Sequence, residues 1–294
     1  MGIVIGAVAP HGFPIIPELS EDAGGGLQTR EAMLEMGRRF AEADPEVIFI
    51  VGPHGVRVNG FVSLADAGRA AGTLHWDGKK VEMNIPVDME LTAAIGKRAR
   101  ERGVPVAEVG YGGSNPAASV LPMDWGVMTP LWFAGHNQNL VDRGHVLADL
   151  YSGLLDGDQG PPAVIANPSR LIPREMNVEF GRAVAEAAEA SGRRVGFIAS
   201  CDWAHSHSEA GPYGFHPDSK KMDDMVVQAM KDNQPARLID LDDEFVKNAA
   251  IDGLWQLLML AGAMDVTPMD VDFLSYEAPT YYGMIVATYH PRMD

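Results

Sequence analysis

The chain has 294 residues, of which 46% are hydrophobic, enough to fill a sizeable core. Its formal net charge of −17 repels phosphate backbones and anionic membranes, which argues against nucleic acid and lipid surfaces as partners. The single cysteine, Cys201, cannot form an intrachain disulfide, and no apolar stretch reaches the roughly 20 residues of a membrane helix. Pro10 and His11 interrupt the N-terminal apolar run, which argues against a signal peptide, so we expect a cytoplasmic protein.

Short apolar runs rich in Val and Ile predict strands buried on both faces, at residues 3–9, 47–52, 163–166, 195–200 and 284–289. Helical patterns lie between these runs, at residues 29–43, 88–102, 178–191, 219–232 and 254–263. Thr29 and Asp88 are the predicted N-caps of the first two helices. The stretch 156–162 has the composition of a linker, but similar apolar runs continue on both of its sides. We therefore predict one α/β domain over residues 1–294, with a central mixed sheet flanked by helices.

Three of the predicted strands are followed by a histidine. The first and second both lead into Pro-His-Gly, at His11 and His54, and the fourth leads to His205. Because ligands of open α/β sheets bind beyond the carboxyl ends of the strands, neighbouring strands would bring these imidazoles together. Two histidines and a carboxylate suit Fe(II) with open positions. The alternative for each histidine is a polar loop residue, or a histidine that is hydrogen-bonded to nearby backbone.

A carboxylate should complete such a site, and the sequence offers several. Asp252 precedes the last predicted helix, where its alternative role is an N-cap that binds free backbone N–H groups. Glu277 lies in SYEAPTYYGM, just before the last strand, and its alternative is a loop carboxylate. Asp242, Asp243 and Glu244 lie in the same stretch as Asp252.

The segment SCDWAHSH, after the fourth strand, offers groups for proton transfer. His205 beside Asp202 suits general acid–base work, since the pKa of histidine lies near neutrality. Cys201 is either a thiolate nucleophile or, more commonly, a buried apolar side chain. The other histidines share no spacing and are interpreted as surface or structural residues: His75, His136, His145, His216 and His290. The sequence lacks the short motifs of nucleotide binding, zinc proteases and hydrolase nucleophile elbows.

Together these motifs resemble those of the class III extradiol ring-cleavage dioxygenases. The resemblance lies in APHG after the first strand, GPHG after the second, DWGVMTPL at residues 124–131, and SCDWAHSH. This superfamily includes the catalytic subunit of protocatechuate 4,5-dioxygenase and the Memo-like proteins, and the resemblance extends over most of the chain. It implies that His11, His54 and a late carboxylate hold Fe(II), and that His205 acts as acid and base.

Two positions depart from the family pattern. The third ligand of the family is usually Glu, whereas the matching place here reads AAIDGLW and points to Asp252. Asn248, one helical turn earlier, is an alternative match. The family's Asp-His-Gly reads Asp124-Trp125-Gly126 here, so one histidine near the site is missing and we expect a different substrate preference.

The resemblance implies a dioxygenase that uses Fe(II) and O₂ to open the ring of a catechol, an aminophenol or a similar small aromatic. Glu277 and Tyr282 are the expected substrate-binding residues. A homodimer or higher homo-oligomer is expected, and some family members also need a small partner subunit. Two alternatives remain open: a Memo-like protein that binds metal or peptides without catalysis, and a metal-dependent hydrolase that uses His205 and Asp202.

Overall fold

The computed structural model describes residues 1–137 and 160–292. The strands in these ranges are β1 Gly2–Ala9, β2 Val47–Val51, β3 Val62–Ala65, β4 Arg69–Trp76, β5 Lys79–Pro86, β6 Val106–Val109, β7 Val120–Pro122, β8 Ala163–Asn167, β9 Arg194–Ser200, β10 Met269–Glu277 and β11 Met284–Pro291. The helices are α1 Leu27–Ala43, α2 Met89–Glu101, α3 Trp125–Phe133, α4 Arg174–Ser191, α5 Asp218–Lys231, α6 Asp243–Ala249 and α7 Leu254–Val266. His145 and most of the predicted linker lie outside the described residues. Within the described ranges, no helix has the length and apolar character needed to cross a bilayer.

Eight of the described strands form one mixed sheet, in the order β10-β11-β1-β9-β2-β8-β3-β6. Its centre is parallel, because β1 pairs with β9, β9 with β2, and β2 with β8. β11 runs antiparallel to β1, and β3 runs antiparallel to β8. A smaller described sheet has the order β5-β4-β7. The predicted α/β fold with a central mixed sheet flanked by helices is therefore confirmed.

The central strands are buried on both faces because alternate side chains enter two different apolar clusters. In β2, Val47, Phe49 and Val51 join the cluster that also contains side chains of α2, α4, α5 and α7. Ile48 and Ile50 join the opposite cluster, with side chains of α1, α3 and the smaller sheet. The sheet thus has a helical layer on one face, and helices with the smaller sheet on the other.

Of the two predicted N-caps, Asp88 is confirmed and Thr29 is wrong. Asp88 caps α2, since its carboxylate accepts a hydrogen bond from the N–H of Leu91. Thr29 does not cap α1, because the helix begins at Leu27 and Thr29 is buried inside its first turn. Glu277 supplies the missing capping group, since its carboxylate accepts a hydrogen bond of 2.6 Å from the N–H of Thr29.

Two glycines bring α4 and α7 into close contact. A Cβ atom at Gly181 would lie 1.7 Å from the carbonyl oxygen of Met259, and one at Gly262 would lie 1.9 Å from that of Val178. A side chain at either position would separate the helices, so glycine is required there. This contact fixes the position of α7, and the residue two positions before α7 is Asp252.

Candidate metal centre

The strand order β1-β9-β2 brings three polar segments to one edge of the sheet. Because these strands are parallel, the residues after their carboxyl ends meet there. His11 follows β1, Asp202 and His205 follow β9, and His54 follows β2. The ring centroids of His11 and His54 lie 5.2 Å apart, with their planes at 89°.

His11, His54 and Asp252 form a group with the composition and spacing of a metal site. Each offers one ligand atom, and these atoms all lie within 4.8 Å of one another. Asp252 is not the N-cap of α7, because Gly253 occupies that place and no side chain caps the helix. Its carboxylate instead faces the Nε2 atom of His11 at 3.6 Å and accepts a hydrogen bond from Arg170. The alternative role of Asp252 as a helix cap is therefore wrong.

The tautomer of His11 follows from its neighbour Ser200 at the end of β9. The Ser200 hydroxyl donates its hydrogen bond to the carbonyl oxygen of Gly126, so it has only lone pairs to offer His11. The Nδ1 atom of His11 lies 3.1 Å from this oxygen and must therefore carry the proton. The Nε2 lone pair is left for a metal. Burial lowers the pKa of His11 well below 6.5, and the nearby His54 lowers it further, so the ring is neutral at pH 7.

His54 is oriented in the same way by a carboxylate. Its Nδ1 atom lies 2.8 Å from Oδ2 of Asp124, which can only accept, so Nδ1 carries the proton and Nε2 is free. The other oxygen of Asp124 accepts from the N–H of Gly126 at 2.8 Å and caps α3. Asn167, at the end of β8, donates to the carbonyl oxygens of Gly52 and His54 and holds the loop between them.

His205 presents its other nitrogen to the same cavity. Its Nδ1 atom lies 2.7 Å from the carbonyl oxygen of Trp203 and 3.1 Å from that of Ala250, so Nδ1 is the donor. Nε2 is then an acceptor. Burial lowers the pKa of His205, and the charge of Asp252 only partly opposes this effect. The ring of Tyr282 stacks on that of His205, with centroids 5.5 Å apart and planes at 18°.

Asp202 is a buried carboxyl group beside the metal-site residues. Its Oδ1 atom accepts a hydrogen bond of 3.0 Å from the backbone N–H of His11, and its Oδ2 atom lies 3.2 Å from Nε2 of the same histidine. Burial raises the pKa of Asp202 well above its usual range, and the charge of Asp252 raises it further. Burial also raises the pKa of Asp252, against the opposing effect of Arg170.

A cavity of about 710 Å³ opens over this group. Its lining includes side chains predicted from the sequence, His11, His54, Asp202, His205, Asp252 and Tyr282, together with Trp125 and Arg170. Trp125 stands where the family pattern has a histidine, and its ring lies 4.3 Å from that of His54, centroid to centroid.

Other predicted site residues lie elsewhere. Glu277 does not line this cavity, because its carboxylate caps α1, and this differs from the substrate-binding role predicted from the sequence. Asn248 does not line it either and donates to Asp218. Cys201 is buried, and burial raises the pKa of its thiol well above the usual value, which disfavours the thiolate.

Sequence reasoning missed a buried carboxylate behind the site. Asp223 of α5 accepts hydrogen bonds from the backbone N–H of Ala204 at 3.0 Å, from Nε2 of His207 at 2.8 Å and from the hydroxyl of Tyr276 at 3.0 Å. It thereby joins the segment after β9 to the strand β10. Asp124 and Ser200 were also missed as partners of the ligand histidines, although an Asp two residues before a Gly at a helix start is a recognisable capping signal.

Comparison with known proteins identifies a family over most of the chain. The family described as the catalytic LigB subunit of aromatic ring-opening dioxygenase matches residues 6–146 and 163–287. The chain belongs to this family. The predicted resemblance to class III extradiol dioxygenases is thereby confirmed at the level of LigB family membership.

Two further proteins are similar to this LigB-family chain, one in sequence and one in fold. Protein CA_C1420 of Clostridium acetobutylicum is 24% identical over 270 residues, which cover 91% of this chain and 53% of the relative. The chain thus spans about half the length of that relative. The crystal structure of uncharacterized protein JW3007 from Escherichia coli K12 matches with a TM-score of 0.55 and 14% identity, covering 97% of this chain and 99% of that one. At this identity the match shows the fold alone.

Proposed function

We propose that this LigB-family chain is an Fe(II)-dependent extradiol dioxygenase, which opens the ring of a catechol or aminophenol with O₂. The ligand set carries the proposal. His11 and His54 both have their Nδ1 atoms engaged, and the atoms they and Asp252 offer a metal lie within 4.8 Å of one another. Two imidazoles and one carboxylate with open positions are the donor set of many non-haem iron oxygenases.

The residues present fit this metal. His11, His54 and Asp252 would hold it, and Ser200 and Asp124 fix the tautomers that such ligands need. Asp252 is one methylene shorter than the usual family Glu, but the structure still brings it to the two histidines. When bound, Fe(II) supplies Lewis acidity and an electron-transfer route between O₂ and an electron-rich ring.

His205 is the proton acceptor in this proposal. Its Nδ1–H is held by two carbonyl oxygens, so Nε2 faces the cavity as a base. Because burial lowers its pKa, the ring is neutral at pH 7 and can take the proton of a substrate hydroxyl at Nε2. The protonated ring can then return this proton to the ring-opened product. Tyr282, stacked on His205, fixes the ring plane and covers one side of the cavity.

The test is anaerobic loading with Fe(II), followed by admission of air in the presence of a panel of catechols and aminophenols. We expect oxygen uptake and a yellow ring-opened product with at least one compound. His54→Ala should lose iron binding, whereas His205→Ala should keep iron and lose most turnover. Bound iron with neither oxygen uptake nor product across the panel would contradict the proposal, and loss of iron in His205→Ala would contradict the assigned roles.

A metal-dependent hydrolase is the second candidate, because Asp202 lies in the same cavity beside His11 and near His205. Such an enzyme would use zinc to activate water and would consume no oxygen. Ester hydrolysis by the Zn(II)-loaded chain under argon, together with no oxygen uptake by the Fe(II)-loaded chain, would favour this candidate.

A further inference from the structure

The cavity is much larger than one aromatic ring requires. Its volume is about 710 Å³, whereas a cavity of about 150 Å³ is enough to bind benzene in an engineered protein. Sites of about 300–1,000 Å³ are typical for drug-sized ligands. A single-ring diol placed at the metal-site residues would therefore leave most of the cavity to water.

The two ends of the cavity differ in chemistry. One end lies beyond the sheet edge and before α7, where His11, His54, His205 and Asp252 meet. One part of the remaining wall is apolar and is formed by Phe13, Pro14, Ile15, Ala23, Trp76 and Pro279, whereas the other part carries polar groups of Arg170, Asp202, Tyr213, Thr280, Tyr281 and Tyr282. We call the first six of these residues the apolar subsite.

Contacts within the apolar subsite show that it is one continuous wall. The rings of Phe13 and Trp76 meet edge to face, with centroids 5.5 Å apart and planes at 78°. The segment of Ala23 packs against the same wall, since a Cβ at Gly24 would lie 3.1 Å from Pro14 and one at Gly25 would lie 3.4 Å from Pro279. Phe13 follows His11 by two residues, whereas Trp76 ends β4 of the smaller sheet, so the wall joins the segment after β1 to a second part of the fold.

We propose that the apolar subsite binds a second, uncharged ring of the substrate, so that the preferred substrate is a diol that carries an aryl substituent. This inference rests on the proposed function for the diol end, and the subsite itself is an independent feature. Its six residues carry no charge with which to pair an acidic or basic substituent. A phenyl ring could pack on Phe13 and Trp76 at the offset or edge-to-face distances that aromatic groups favour. Trp76 is 42% exposed, and such a ring would cover its free face.

The test compares catechol with 2,3-dihydroxybiphenyl, which differ by one phenyl ring, on the Fe(II)-loaded chain without oxygen. Binding is measured by calorimetry, so it requires no turnover. We expect the Kd of the biphenyl to be at least about tenfold lower than that of catechol, from the apolar area that the second ring buries. Trp76→Ala should reduce this ratio to about threefold or less and leave the Kd of catechol unchanged.

Phe61→Ala is the matched control, because Phe61 is 43% exposed and does not line the cavity. The Phe61→Ala variant should keep the wild-type ratio of the two Kd values. Phe13→Ala gives a second variant in the same wall and should also lower the ratio. Equal affinity for the two diols, or a ratio unaffected by both Trp76→Ala and Phe13→Ala, would overturn the subsite. A further outcome separates the two proposals. If neither diol is oxidised when air is admitted, but the biphenyl still binds more tightly than catechol and Trp76→Ala still reduces this difference, the subsite stands and the proposed reaction fails.

Discussion

Asp124 holds His54 through one oxygen and caps α3 through the other, so substitutions can separate its two roles. In Asp124→Ala both contacts are lost. Removing a carboxylate that orients a ligand histidine lowers metal affinity by about 10–100-fold, which corresponds to about 1.4–2.7 kcal/mol. Loss of the cap lowers the free energy of unfolding by about 1 kcal/mol.

Asp124→Asn keeps the cap and should still impair the metal site. Asn is a good N-cap, so its oxygen can accept from the N–H of Gly126 as Oδ1 of Asp124 does. Its NH₂ group then faces Nδ1 of His54, which forces the imidazole proton from Nδ1 to Nε2. A protonated Nε2 cannot bind a metal. We therefore expect near-normal stability and a loss of metal affinity at least as large as that expected for Asp124→Ala.

Metal affinity is measured by competition with a chromophoric chelator under nitrogen, and stability by urea denaturation of the metal-free chain. Asp242→Ala is the control for capping alone, because Asp242 caps α6 through the N–H of Phe245 and does not line the cavity. It should lose about 1 kcal/mol of stability with unchanged metal affinity. Wild-type metal affinity in Asp124→Asn would refute the role assigned to Asp124.

Three further predictions concern the surrounding structure. Asp223→Ala leaves three donors without their buried acceptor, so the free energy of unfolding should fall by about 3 kcal/mol or more; a urea-denaturation loss below about 1 kcal/mol would contradict this. Gly181→Ala should lower it by about 1–3 kcal/mol, because the new Cβ would lie 1.7 Å from a backbone oxygen of α7, and an unchanged urea midpoint would show that the helices separate freely. Because burial lowers the pKa of His205, this side chain remains a neutral base at lower pH. The midpoint of the fall in kcat/KM on the acid side should therefore lie below pH 6.5, and a midpoint at or above pH 6.5 would count against His205 as the base.

The parts of the fold that the sequence predicted are those with the strongest patterns. Buried parallel strands such as β2 are continuous apolar runs, and these are easy to recognise. β4 and β10 were missed because they are only partly buried and carry exposed polar residues that break the apolar run. α3 was missed for the opposite reason, since almost all of its residues are buried and no polar face marks a helical period.

In the candidate site, the histidines were predicted from the sequence and their hydrogen-bond partners were not. His11, His54 and His205 were predicted to converge because strand order and direction place strand ends together, whatever the side-chain packing. The hydrogen-bond partners were not predicted, because they depend on contacts between distant segments. Ser200 is 189 residues from His11, and Asp124 is 70 residues from His54. The capping role of Glu277 was not predicted for the same reason, since the backbone N–H that it binds on α1 lies 248 residues away in the sequence.

The backbone at Gly126 serves both ligand histidines. Its carbonyl oxygen accepts from the Ser200 hydroxyl that positions His11, and its N–H donates to the carboxylate that positions His54. A shift of this one residue would tilt both imidazoles together. The geometry of the two rings is therefore mechanically coupled, and the metal site should be assembled or lost as a unit, without a stable intermediate in which one histidine is aligned and the other is not.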